Sequence, residues 1–134
     1  MQATAAERDV VQVFDALFAM VTGDRDAGAG TALFATDEDV VMWGSDEDEQ
    51  AVGLQAVSEL HRGIAASSTE LDFRWHSRHV HVEGDVAWVN AAGEVTVSPP
   101  GEEATTSPYR LTAIFVRRDA EWRWHTFSGS MPDK

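Results

Sequence analysis

Apolar side chains at Val10, Phe14, Leu17, Phe18 and Val21 recur at the spacing of one helix face. Glu7, Arg8, Asp9, Gln12 and Asp15 fall mostly elsewhere, so residues 4–21 predict an amphipathic helix. Thr4 followed three residues on by Glu7 fits a capping box, in which each side chain satisfies an amide the helix start leaves unpaired. Thr22-Gly23-Asp24 is expected to end this helix, Gly23 taking the left-handed turn and Asp24 capping a short second helix that runs to about Leu33-Phe34. A third stripe, Val57, Leu60, His61 and Ile64, predicts a helix over 54–67.

The remaining pattern has the two-residue period of strands. Residues 37–44 form a short β-branched and aromatic run, and Ala51-Val52-Gly53 reads as a small returning strand. Residues 70–82 and 85–98 predict a hairpin around Glu83-Gly84-Asp85, with Val82 opposite Val86, Val80 opposite Trp88, Trp75 opposite Gly93 and Phe73 opposite Val95. Residues 99–108, with prolines at 99, 100 and 108, predict a connecting loop. A last hairpin turns at Asp119-Ala120, setting Arg118 opposite Glu121, Phe115 opposite Trp124 and Ala113 opposite Thr126. Its expected inner face carries Tyr109, Leu111, Ala113 and Phe115 on one strand and Trp122, Trp124, Thr126 and Ser128 on the other. Arg110, Thr112, Ile114, Val116, Arg123, His125 and Phe127 then face outward, where Ile114, Val116 and Phe127 would meet a partner. Helices first and an antiparallel sheet after them make an α+β chain, expected to fold as one domain over 1–134.

Composition narrows the chemistry. A formal net charge of −13 disfavours nucleic acid and anionic lipid surfaces as partners, because phosphate binding needs a basic footprint. The absence of cysteine removes disulfides, thiolate metal sites and a thiol nucleophile. The opening residues lack a basic segment followed by an apolar run, and no apolar stretch reaches bilayer-spanning length, so a cytoplasmic protein with no membrane partner is expected.

Several short motifs, in this order and spacing, resemble the nuclear transport factor two-like superfamily and its SnoaL-like branch. They are Thr22-Gly23-Asp24, Leu33-Phe34-Ala35, Val40-Val41-Met42-Trp43-Gly44 and Val52-Gly53, then Gly84-Asp85-Val86-Ala87-Trp88, Arg110-Leu111-Thr112, Arg118-Asp119-Ala120-Glu121-Trp122 and Ser128-Gly129-Ser130-Met131-Pro132. The resemblance spans nearly the whole chain. It implies a cone-shaped α+β barrel, with N-terminal helices packed on a curved, mostly antiparallel sheet, a pocket between them and a homodimer across the outer sheet face. The superfamily holds isomerases, cyclases, dehydratases, binding subunits and proteins with no known activity, so fold alone leaves function open. Where the ketosteroid isomerases of this superfamily carry a carboxylate base, the matching position is Met42, which cannot abstract a proton. Their oxyanion-binding tyrosine falls near Ala16, and Ser128 stands where relatives with this ending often hold histidine.

The expected function is therefore binding of a small hydrophobic molecule, carbonyl compounds included, with no cofactor. The alternatives are a cofactor-independent isomerase, polyketide cyclase or dehydratase, and a dimeric interaction or assembly module. As an enzyme, the chain offers His61 or His125 as general base, since imidazole titrates nearest neutral pH. Trp43, Trp75, Trp88, Asn90, Tyr109, Thr126 and Ser128 are the candidate ligand contacts, aromatic walls with polar groups nearer the mouth. His76, His79 and His81 read as exposed or pairing strand histidines rather than zinc ligands. The acidic run Asp46-Glu47-Asp48-Glu49 lacks the glycine and terminal ligand of a calcium loop and reads as solvated. Arg74, Arg78 and Arg110 read as surface ion-pair partners.

Overall fold

A computed structural model describes residues 4–45 and 49–132, leaving aside the side chain of Asp24. Helix α1 (Ala5–Ala19) begins at the expected capping box: the Glu7 amide donates to Thr4 Oγ1 at 3.1 Å and the Thr4 amide donates to Glu7 Oε1 at 2.7 Å. Its end differs from expectation. The helix widens into a π-helical turn, Met20–Asp24, which includes Gly23, and the left-handed residue is Arg25 at φ 55°. Asp26, not Asp24, caps the short helix α2 (Ala27–Thr31), accepting from the Ala29 amide at 3.1 Å. The extra residue of the π turn moves both the reversal and the cap two positions along the chain.

Strands β1 (Val41–Trp43) and β2 (Gln50–Val52) form a small ribbon. The expected acidic loop at Asp46, Glu47 and Asp48 between them lies outside the described residues. Gly53, at φ 89°, turns the chain into α3 (Leu54–Ala66). Four long strands follow: β3 (Glu70–Glu83), β4 (Val86–Ser98), β5 (Thr105–Arg118) and β6 (Glu121–Ser130). The sheet order is β2-β1-β6-β5-β4-β3, antiparallel except where β1 runs parallel to β6. The sheet is curved but unclosed: β2 and β3 are its edges, and the helices cover the concave face in place of further strands.

Both hairpins carry a bulge that the constant-sum register misses. At the β5–β6 turn, Asp119 and Ala120 adopt φ 52° and 66°, as a two-residue turn between right-twisted strands requires, and Phe115 pairs with Trp124 as expected. His125 is then the extra residue, so Ile114 pairs with Thr126 and Ala113 with Phe127. Beyond it every side chain of β6 changes face: Phe127 is buried, whereas Ser128, placed inward by the simple alternation, is exposed. Phe127 is thus removed from the expected outer surface, and Val116 is buried as well. At the β3–β4 turn Glu83 pairs with Val86 and Val80 with Val89, one residue off the expected register, until a bulge at His76 restores Trp75 opposite Gly93 and Phe73 opposite Val95. Strand β5 also begins earlier than expected and includes Pro108. The last β5–β6 pair is Arg110 with Ser130, so no strand lies beside Pro108 on that side to need its missing amide proton.

The core lies between α1 and the concave face. Trp124, fully buried, stacks on Phe14 at 5.6 Å and Phe34 at 5.9 Å, tilts against Phe115 at 4.6 Å, and donates its indole N–H to the Val13 carbonyl at 3.1 Å. One side chain therefore joins α1, the segment after α2 and two strands. Among the described residues no helix is long and apolar enough to cross a membrane.

Candidate functional site

The aromatic core closes one end of the cone and leaves the other hollow. The hollow is a cavity of about 510 Å³ between α3 and the far ends of the long strands. Phe73 and Leu71 of β3 lie beside their ladder partners Val95 and Val97 of β4 on the sheet wall, and Tyr109 of β5 and Phe127 of β6 continue it. Phe18 and Val21 close it from the end of α1, and Leu60, Gly63 and Ile64 form the helical side. Polar groups enter at Ser45, Glu49, Glu59, Ser67 and Thr69. A mostly apolar enclosure with a few polar groups is the ordinary build of a small-molecule site.

Arg25 holds part of this wall in place. Its guanidinium donates to the carbonyls of Ser67 at 2.6 Å, Thr69 at 2.5 Å and Ile64 at 3.5 Å, fastening the turn between α3 and β3 to the end of the π turn. Gly129, opposite Leu111, has a matching role: a Cβ there would lie 1.9 Å from the Tyr109 hydroxyl oxygen, so only glycine leaves room for this ring.

His61 is fully buried behind the cavity rather than in it. Its Nε2 lies 3.1 Å from Sδ of Met42, and Met42 is the residue that reaches the cavity. A thioether sulfur can only accept, so Nε2 carries the proton and Nδ1 accepts from the Thr31 hydroxyl at 2.9 Å. Both ring nitrogens are engaged, and burial pulls the imidazole pKa from 6.5 down to about 4. His61 is accordingly a neutral, satisfied core histidine.

The other expected site residues scatter. Only Tyr109 lines the cavity. Trp75 packs one layer beneath it, with its ring 6.1 Å from Tyr109 and 5.9 Å from Phe73. Trp43, Trp88 and Asn90 are exposed and outside the lining: Trp88 stacks on His81 at 4.5 Å, and Asn90 accepts from Thr112 at 3.3 Å. Thr126 and Ser128 are moved out of the expected cluster by the His125 bulge, and His125 is outside the lining as well. His125 instead places Nε2 3.0 Å from Asp39 Oδ1 and Nδ1 2.7 Å from Thr126 Oγ1.

Asp37, Asp39 and His125 each bring one donor atom within 4.8 Å of the others, a spacing a cation can use. Arg118, however, already donates to Asp37 at 2.8 Å and holds its carboxyl below the usual range, while Asp39 faces His125. Both carboxylates are thus already engaged, Asp37 with Arg118 and Asp39 with His125. His76 lies 3.4 Å from Glu94 and His81 2.9 Å from Glu83, so those two strand histidines are drawn to separate carboxylates. Arg78 pairs with Asp15 at 2.6 Å, as a surface role predicts.

Sequence reasoning missed most of the lining. Phe73 and Val95 were legible as a cross-strand pair but not as a cavity wall, and Glu59 was visible only as a polar position beside Leu60.

The model of the SnoaL-like domain family matches residues 10–134. The chain belongs to the SnoaL-like family. This SnoaL-like chain matches no protein of curated function. A nuclear transport factor two-like protein of unknown function from Pseudomonas putida KT2440 superposes with a TM-score of 0.80 at 22% identity, covering 100% of this chain and 92% of the other. A nuclear transport factor two-like superfamily protein from Salmonella enterica serovar Typhimurium gives a TM-score of 0.83 at 14% identity, covering 98% and 95%. A ketosteroid isomerase-like protein from Erwinia carotovora gives 0.78 at 16% identity, covering 98% and 100%. At such identities the likeness concerns the fold of the SnoaL-like chain and not its chemistry.

Proposed function

We propose that this SnoaL-like protein binds a small hydrophobic molecule in the cavity between α3 and the sheet. The observation that carries this reading is the pairing of a 510 Å³ apolar cavity with a histidine walled off behind Met42, both of its nitrogens engaged. The lining supplies burial for a ligand and no imidazole to remove its proton. A native mass-spectrometry and thermal-shift screen of hydrophobic carbonyl compounds tests it, because a ligand bound only by the folded state raises apparent stability. One-to-one binders without turnover are expected; a compound converted by the protein, with the conversion abolished in His61→Phe, would overturn the binding reading.

The rival reading is a cofactor-independent isomerase, cyclase or dehydratase. It draws on the buried phenol of Tyr109 in the lining, which is suited to hydrogen-bond a developing oxyanion. Self-association across the outer sheet face is a further part of the proposal. Its support is the exposure of Val86 at 40% and Trp88 at 37%, together with Trp43 at 43%. Sedimentation of wild type against Trp88→Ser tests it, with a shift toward monomer expected.

A further inference from the structure

The turn between α3 and β3 divides two hollows. On one side Ser67, Thr69 and Leu71 line the cavity; on the other Ser67, Ser68 and Leu71 line a polar cleft, together with Thr22, Gly23 and Arg25. The same division runs through two other elements, where neighbouring residues serve opposite sides: Val21 lines the cavity and Thr22 the cleft, Val97 the cavity and Ser98 the cleft. The divider at these points is a single thickness of chain. At about 600 Å³ the cleft is no smaller than the cavity, so a molecule that fits the one can stand in the other.

Burial does not hold the turn in place. Residues 65–70 read Ala-Ala-Ser-Ser-Thr-Glu, so no large apolar side chain between Ile64 and Leu71 anchors it in the core, and Ser67 and Ser68 are exposed. Within the turn the Ser67 amide donates to the Ile64 carbonyl at 3.2 Å and the Thr69 amide donates to Ser67 Oγ at 3.1 Å. Among the described residues, the hydrogen bonds that reach the turn from outside α3 and β3 all come from Arg25, which spans the Ser67 and Thr69 carbonyls and that of Ile64 just before them. Helix α3 has no basic residue in its last turn, so this guanidinium also supplies the positive charge that a helix end favours. Arg25 itself lies half-buried at the cleft with left-handed backbone, φ 55°, a conformation uncommon for arginine and held at some cost. A segment kept in place by a few partly exposed hydrogen bonds, and not by core contacts, is the part of a fold that opens first.

We infer that the 67–69 turn is a door between the cavity and the cleft and that Arg25 is its latch: a ligand enters and leaves the cavity by way of the cleft when the guanidinium releases the three carbonyls. Arg25 is outside the cavity lining, so it is a positioning residue that acts through the turn. The inference rests on the proposed binding function and adds the route of exchange and what controls it.

The test is stopped-flow binding of propionyl(dimethylamino)naphthalene, a neutral aromatic ketone whose fluorescence rises when it leaves water. Ser68 lines the cleft and not the cavity. Ser68→Trp should therefore slow association and dissociation alike, by about three- to tenfold, and leave Kd within about twofold of wild type, the mark of an obstructed route to an intact site. Arg25→Ala should speed both, association about threefold and dissociation by more, because losing partly exposed hydrogen bonds lowers the cost of opening. Arg25→Lys keeps the charge but lacks the planar fork that spans several carbonyls, and should lie between. Arg74→Ala makes the same change in net charge on the exposed face of β3 and should leave both rates at wild-type values. A purely structural role for Arg25 would speed dissociation without speeding association. Unchanged rates in Ser68→Trp, or association in Arg25→Ala no faster than in wild type, would overturn the door while leaving hydrophobic binding in place. If the ketone does not bind wild type at all, the door and the binding function beneath it both fail.

Discussion

Nε2 of His61 lies 3.1 Å from Sδ of Met42, and this contact separates the cavity from its nearest imidazole. The sulfur is the acceptor that fixes the ring's tautomer. Met42→Leu keeps nearly the same volume but leaves a buried N–H without a partner, which costs about 1–3 kcal/mol. Urea denaturation should show that loss in the wild-type background and much less of it beside His61→Phe, where no donor remains to be orphaned. Equal losses in the two backgrounds would show that packing, not the hydrogen bond, matters at this position.

His61 also makes a signed contribution to acid sensitivity. Unfolded, the imidazole takes a proton below about pH 6.5; folded, it stays neutral down to about pH 4. Between those values the unfolded state holds more protons, so stability falls as pH falls, by up to about 1.4 kcal/mol per pH unit and on the order of 3 kcal/mol over the window. The chain's net negative charge acts in the opposite direction, since protonation relieves repulsion. The informative quantity is therefore the difference between wild type and His61→Phe. That difference should shift in favour of the variant as pH drops from 7 to 4, and a pH-independent difference would refute the buried, neutral assignment.

Arg25 fastens the 64–69 turn through three carbonyls. Arg25→Ala should cost about 1–2 kcal/mol, a value discounted for partial exposure. Because Ile64, Ser67 and Thr69 all line the cavity, it should also weaken binding of any cavity ligand severalfold, whereas Arg74→Ala on the exposed face of β3 should do neither. Hydrogen exchange at the Ser67–Thr69 amides gives the direct readout, with faster exchange expected in the variant.

Gly129 and Tyr109 should behave as a coupled pair. Adding a methyl at 129 forces the phenol out of its place, and overpacking of this kind costs about 1–3 kcal/mol. The double variant Gly129→Ala/Tyr109→Ala should be more stable than the sum of its single changes predicts. Strict additivity in a double-mutant cycle would mean that the ring has another place to go.

The fold was largely legible because its signals are local and repeated. The α1 stripe, the Thr4–Glu7 box and the Asp119-Ala120 turn each depend on a few neighbouring residues, and all three stand in the structure. The site was much less legible, for one physical reason. A strand alternates with a period of two, so a single bulged residue reverses every assignment beyond it. His125 does this in β6, trading Ser128 for Phe127 in the interior, whereas Trp88 and Asn90 lie on the outer face by the uninterrupted alternation of β4, opposite to the side that Val89 and Ala91 take. No residue type in either strand announces a bulge. The inward set between the β5–β6 turn and the bulge, Phe115, Trp122 and Trp124, was read correctly and is core; the cavity begins beyond the point where the reading slipped.

Gly63 offers the most direct test of the account. It lines the cavity from α3, and a Cβ built there meets nothing within 4 Å, so Gly63→Trp should project an indole into the hollow without disturbing the wall. Replacing a mid-helix glycine should also favour the helix, so stability should hold or rise by about 0.5 kcal/mol. Calorimetric titration of wild type and Gly63→Trp with the best hydrophobic binder is the decisive measurement. Loss of binding in a variant that remains as stable as wild type is the predicted result; undiminished affinity in Gly63→Trp would place the ligand elsewhere and contradict the account.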